Sequence, residues 1–172
     1  MWTVFQMHPR RVLLAVCAAC IAMLAFGLYL QHVVGLNPCP MCIVQRYALI
    51  IVAIVAGIGS ALSGRASRLF LTFVGILFSG FGAFVAARQS WLQWYPPEFA
   101  SCSRDLYGMI ETFPLKRALP MIFRGSGDCT AIDWTLLGGS LANWSFVAFI
   151  GLTLILLAAL FARRQTAALR PA

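Results

Sequence analysis

Two cysteines stand three residues apart in the stretch Asn37-Pro38-Cys39-Pro40-Met41-Cys42-Ile43-Val44-Gln45-Arg46-Tyr47. A disulfide spanning two residues removes little chain entropy, so it is a poor staple, and C-x-x-C pairs are typically exchange-active. The chemistry such a pair performs is attack of a thiolate on a disulfide. Cys42 comes just before a long apolar run. At the N-terminal end of a helix, unpaired backbone N–H groups and the helix dipole favour an anion. Arg46 follows four residues later, one turn deeper on the same face. Both neighbours favour the thiolate form of Cys42. Pro40 fits ahead of such a helix, where its missing N–H is harmless. Cys39 is further from both influences and is expected to be the more accessible sulfur.

Four other cysteines complete the set. Cys17 and Cys20 repeat the spacing as Cys-Ala-Ala-Cys, in the middle of an apolar run, on one helical face. A thiol deep in hydrocarbon behaves as a small hydrophobe, so packing is expected there. Cys102 and Cys129 lie far apart in the long segment before the last apolar run. With Cys39 and Cys42 they allow two pairs. A Cys102–Cys129 bridge would stabilise the fold by about 3–4 kcal/mol in the chain-entropy model, so a structural role for that pair stays open. A four-thiolate zinc site is the other alternative, although such sites usually show two paired C-x-x-C knuckles.

The rest of the chain must hold these thiols in place. Of 172 residues, 61% are hydrophobic and 10% charged. Soluble domains carry roughly 45–50% apolar and about 25% charged residues. An integral membrane protein of one domain, residues 1–172, is expected. Four runs approach the ~20 apolar residues that a bilayer crossing needs, at about Val12–Leu30, Ile43–Leu62, Leu69–Ala87 and Trp144–Ala162. Backbone polar groups in lipid must be satisfied within each segment, so the fold class is all-α, a four-helix transmembrane bundle. Gly75, Gly80 and Gly82 in the third run suit close helix approach. The first run has Arg10-Arg11 before it and a possible cleavage site at Ala25-Phe26-Gly27. It exceeds the 7–15 residues of a signal core, and a retained span is expected.

Arg10, Arg11, Arg65, Arg68, Arg163, Arg164 and Arg170 fall on one side of this topology, and the positive-inside rule makes that side cytoplasmic, with both termini. The +8 net charge is explained by this asymmetry and gives no reason to invoke nucleic acid. The outer connections are then about 31–42 and 88–143. His32 reads as a solvated residue of the first. Trp91, Trp94, Tyr95, Trp134 and Trp144 would anchor the ends of the second at the membrane interface. Within it, Leu106–Phe123 suggests short helical pieces lying on the membrane with Lys116 and Arg117 at headgroup level, against an irregular surface loop. Arg46 at the edge of hydrocarbon is costly, which argues for a partner or a task; snorkelling to the headgroups is the plainer reading. An electron acceptor for a site at this level is expected to be lipid-soluble.

Three segments resemble the disulfide bond formation protein B (DsbB) family: Cys39–Arg46 opening the second run, Leu92–Cys102 after the third, and Ser126–Trp134 before the fourth. The resemblance covers nearly the whole chain. It implies a thiol:quinone oxidoreductase of the bacterial inner membrane, with redox pairs Cys39–Cys42 and Cys102–Cys129. A periplasmic DsbA-like thioredoxin-fold oxidase would form a mixed disulfide with Cys102. Freed Cys129 would attack at Cys39, and Cys42 would react or form a charge-transfer complex with ubiquinone, or with menaquinone under anaerobic conditions. Arg46 would stabilise the thiolate and the developing quinol oxyanion, and a monomer is expected. Family members can carry a His at the position matching Gln89. Gln89 can donate a hydrogen bond to a quinone oxygen but has no proton to give up at neutral pH; ordinary interfacial polarity is the alternative. Asp128 beside Cys129 would disfavour that thiolate if ionised.

Overall fold

The apolar runs become four long helices in a computed structural model, which describes residues 9–36, 39–95, 132 and 134–168. They are α1 (Pro9–His32), α2 (Pro40–Ala61), α3 (Arg65–Trp94) and α4 (Leu141–Ala168). Each is long and apolar enough to cross a membrane. Cys102, Cys129, Asp128 and the expected interfacial helices of Leu106–Phe123 lie outside the described residues.

Contacts between helices fix an antiparallel order. Leu13 and Cys17 of α1 meet Gly59 and Gly57 of α2, while Gly27 meets Arg46. Val55 of α2 faces Gly75 of α3, and Gln45 pairs with Gln89. On α3, Ser79 and Gly82 meet Phe149 of α4, and Gly75 meets Leu156. Cys39 and Cys42 therefore sit at the end where α1 and α3 finish and α2 and α4 begin. Arg10, Arg11, Arg65 and Arg68 lie at the other end.

Small residues set the helix spacing, as membrane bundles require when lipid removes the hydrophobic drive to associate. A Cβ placed on Gly82 would come within 2.2 Å of the Phe149 ring. A Cβ placed on Gly75 would lie 3.4 Å from Leu156 and 3.5 Å from Val55, ordinary contact. Gly80 differs from expectation. Nothing lies within 4 Å of its Cβ position, because it falls on the outward side of α3. Ser79 is fully buried; its hydroxyl donates to the Phe149 carbonyl at 3.3 Å and is hydrogen-bonded to Thr153, a polar tie across α3 and α4. The apolar core around it includes Leu13, Val16, Val52, Leu152 and Leu156.

α3 also departs from its expected bounds. Its 30 residues span ~45 Å at 1.5 Å per residue, against ~30 Å of hydrocarbon. Residues 88–94, expected in the outer loop, continue the helix. No Pro or Gly interrupts them, and helical geometry stops only at Tyr95, just before Pro96-Pro97, where a following proline disfavours it. The extra turns carry Trp91 against Tyr95, with ring centroids 4.9 Å apart, and both residues are exposed as interfacial anchors would be. At the same end, α1 runs on to His32, so this exposed residue ends a helix rather than lying in the loop.

Before α4 the chain makes a two-stranded hairpin, β1 (Thr135–Leu136) and β2 (Gly139–Ser140). Its two turn residues, Leu137 and Gly138, have φ of 52° and 80°, the left-handed pair that suits a tight hairpin. Leu137 is 89% exposed at the tip. Trp144 Nε1 donates to the Leu136 carbonyl at 3.0 Å, and the Ser140 hydroxyl donates to Gln93 Oε1 at 2.5 Å. These bonds tie the hairpin to α4 and to the extension of α3.

Candidate functional site

Cys39 is the N-cap of α2, with φ −68° and ψ 160°. Its carbonyl accepts from the Ile43 N–H at 3.1 Å, opening the helix, and its sulfur accepts from the Cys42 N–H at 3.3 Å. Pro40 is the first helical residue rather than a residue ahead of the helix, a position where its fixed φ is already suitable. Cys42 is thus in the first turn, among the N–H groups that no helical carbonyl reaches. The two Sγ atoms are 2.8 Å apart.

The accessibility of the pair is the reverse of the sequence expectation. Cys39 is 5% exposed, while Cys42 is half-buried. Capping turns the Cys39 side chain back over the helix start, where it packs with Met41, Val85 and Leu92. Two of those come from α3: Val85 from its expected span, and Leu92 from the extension beyond it.

The same extension brings Gln89 onto the sulfurs. Gln89 Nε2 donates to Cys39 Sγ and to Cys42 Sγ, each at 3.3 Å. Its Oε1 accepts from Gln45 Nε2 at 2.8 Å and stands 3.7 Å from Cys42 Sγ. Gln45 and Gln89 are both buried, at 5% and 4% exposure. Gln45 was not singled out by sequence reasoning. The signal it offered was an amide inside an apolar run, three residues after Cys42 and so on the same helical face.

Arg46 reaches across to α1. Its Nη2 donates to the Gly27 carbonyl at 3.0 Å, and Nη1 donates to Gln31 Oε1. Both acceptors are neutral. All five acidic residues of the chain lie outside the described residues, so no described carboxylate balances this cation. The guanidinium packs along α1 at Gly27, where a Cβ would lie in ordinary contact with it, 3.6 Å from Arg46 Nε.

These residues line a single cavity of about 460 Å³. Cys42, Gln45, Arg46 and Gln89, with Ser145 of α4, contribute polar groups to its wall. Met23 and Phe26 of α1, Ala148 and Phe149 of α4, and Trp134 and Trp144 beside the hairpin are among its apolar lining. Phe26 and Trp134 meet edge to face, with centroids 5.9 Å apart. The volume lies within the 300–1,000 Å³ of small-molecule sites, and apolar walls with a few polar groups are their usual chemistry. Cys42, Arg46 and Gln89 are therefore brought together as candidate site residues.

A family model described as disulfide bond formation protein DsbB matches residues 9–159. The chain belongs to the DsbB family. Among its relatives, the disulfide bond formation protein B of Paracidovorax citrulli is 71% identical over 149 residues, covering 87% of this chain and 85% of the relative. That of a Polaromonas species is 68% identical over 153 residues, covering 89% and 91%. A more distant relative of the same name, from an Azoarcus species, is 53% identical over 159 residues, covering 91% and 95%. The DsbB family is one of disulfide bond formation, and four helices able to cross a membrane fit a multi-pass member of it.

Proposed function

We propose that the protein reoxidises a periplasmic DsbA-like thioredoxin-fold oxidase and passes the electrons to membrane quinone through the pairs Cys102–Cys129 and Cys39–Cys42. The observation that carries this reading is the convergence of Cys42, Arg46 and Gln89 on one apolar cavity at the end of the bundle, with the Cys39 and Cys42 sulfurs 2.8 Å apart.

The cavity suits a quinone ring in both volume and chemistry. Ubiquinone is the expected occupant, or menaquinone under anaerobic conditions. When bound, a quinone supplies an acceptor for two electrons and two protons. The chain's own residues do the rest. The partner's thiolate attacks the Cys102–Cys129 disulfide, with Cys102 taking the mixed disulfide. Cys129, freed by that attack, attacks the Cys39–Cys42 disulfide at Cys39, forming a Cys129–Cys39 disulfide and releasing Cys42. The partner's second thiolate attacks the mixed disulfide, which releases the partner oxidised and frees Cys102; Cys102 then attacks Cys129, re-forming the Cys102–Cys129 disulfide and leaving Cys39 and Cys42 as the dithiol. Oxidation of the Cys39–Cys42 dithiol re-forms its S–S bond and releases two electrons and two protons to the acceptor.

Arg46 holds a positive charge at the cavity wall, fixed by Gly27 and Gln31. A cation so placed favours negative charge on Cys42 and on an oxygen developing charge in the cavity. Gln89 donates to both sulfurs. The end of the bundle bearing this site faces the periplasm and the Arg10, Arg11, Arg65 and Arg68 end faces the cytoplasm of a bacterial inner membrane, by the positive-inside rule. A monomer suffices for these steps.

The test uses purified full-length protein with ubiquinone and a reduced thioredoxin-fold oxidase. Quinone reduction should match partner oxidation one for one, and thiol tagging should show Cys39 and Cys42 cycling. Cys129→Ser, in which Cys102 has no Cys129 to pair with, should accumulate the partner covalently on Cys102 when the partner is supplied in its disulfide form. Cys39 and Cys42 that stay unchanged on addition of both substrates would refute the relay.

A further inference from the structure

A carboxamide has two faces of opposite character: its oxygen accepts and its NH2 donates. Which of them meets a cysteine pair decides whether a thiolate there is favoured or opposed. The orientation of a buried amide is set by whatever holds its far end. For Gln89 that holder is Gln45, whose Nε2 donates to Gln89 Oε1 at 2.8 Å in a buried contact between α2 and α3. With its oxygen so engaged, Gln89 turns Nε2 to Cys39 Sγ and Cys42 Sγ, 3.3 Å from each. Flipping Gln89 would break the bond to Gln45 and set two NH2 groups against each other.

We propose that Gln45 is a positioning residue that fixes the Gln89 carboxamide with its NH2 toward Cys39 and Cys42, and so raises the reduction potential of that pair. The proposal rests on the reading of Cys39–Cys42 as a redox pair. Reduction breaks the S–S bond, adds two electrons, and leaves sulfurs that carry negative charge or a proton. Gln89 serves either form. Its two N–H groups donate to charged sulfur, and its Oε1, 3.7 Å from Cys42 Sγ, faces a protonated Cys42. Hydrogen bonds to a charged group are stronger than those to a neutral one. The reduced pair therefore gains more from the oriented amide than the disulfide does. Among the described residues Gln45 makes no hydrogen bond to either sulfur, so toward the cysteine pair it acts through Gln89.

The experiment is a redox titration of purified full-length protein in glutathione buffers at neutral pH, without quinone or partner. Thiols are tagged and mapped to Cys39 and Cys42. The equilibrium converts the disulfide and two glutathione molecules into the dithiol and one glutathione disulfide. Gln45→Leu should lower its constant about tenfold, a potential ~30 mV more negative. Gln89→Leu should do the same, and the double variant no more than either. Gln45→Met, closer to glutamine in shape and without a donor, should repeat the result and serves where the leucine variant does not fold. A constant within twofold of the unaltered chain for the Gln45 variants would overturn the proposal, as would losses that add in the double variant. A merely structural Gln45 would change melting without moving the potential. Because quinone and partner are both absent, failure of electron transfer to quinone would count against the relay and leave this comparison standing.

Discussion

The chain carries the same C-x-x-C spacing twice, and the two copies meet opposite surroundings. Cys17 and Cys20 lie in the interior of α1, where each backbone N–H is engaged along the helix. Cys20 is 0% exposed within the apolar core, and Cys17 Sγ lies 3.4 Å from the Cβ position of Gly57 on α2. Cys39 and Cys42 straddle the start of α2, where the Cys42 N–H turns to the Cys39 sulfur instead of a helical carbonyl, a cavity lies alongside, and a buried amide donates to both sulfurs. Spacing alone brings two thiols to one face. Position relative to a helix end, and the groups supplied by neighbouring helices, decide whether they are packing or chemistry.

Exchanging single residues in the two regions tests that contrast. Cys42→Ser should abolish quinone reduction in the coupled assay, since the Cys39–Cys42 disulfide cannot form; residual turnover above a thousandth would show that the pair is not the donor. Arg46→Ala should lower turnover about a hundredfold, the scale of one preorganised electrostatic group. Arg46→Lys should recover part of it, since a point charge keeps the attraction but cannot reproduce the paired bonds to Gly27 and Gln31. Equal rates for Arg46→Ala and the unaltered chain would remove the cation from the mechanism.

In the middle of the bundle the expected effects fall on stability. Gly82→Ala should destabilise the protein by ~1–3 kcal/mol through overpacking against Phe149, read as a lowered melting temperature in detergent. Adding Phe149→Leu should relieve much of that clash. Gly80→Ala, with open space around it, should leave melting unchanged or raise it by the ~1 kcal/mol that separates the helix propensities of glycine and alanine. The smallest effect belongs to the inner cysteines. Cys17→Ala with Cys20→Ala should keep turnover within twofold while trimming stability by a small cavity term. A larger loss of turnover would erase the distinction between the two pairs.

Much of the bundle was legible because its signals are local. Runs of apolar residues specify helices long enough for a bilayer, Pro40 marks a helix start, and the placement of cysteine before such a start points to exchange chemistry. Local patterns also failed in recognisable ways. The polar residues after Ala87 suggested a loop, yet hydrogen bonding along the helix continues until a proline intervenes. Gly80 resembled Gly75 and Gly82 in sequence, and only the rotation of α3 separates them.

Taken by itself, the sequence determined four membrane-length helices, the end of α2 that carries sulfur, and a cation one turn away from it. These follow from backbone hydrogen bonding, helix ends and the cost of polar groups in hydrocarbon, all properties of residues close together in the chain. The tertiary structure decided which sulfur is buried, which helix holds Arg46, and that Gln45 meets Gln89 across 44 positions of sequence. Those outcomes depend on how helices rotate and slide as small and large side chains interlock, and no short stretch of residues contains that information.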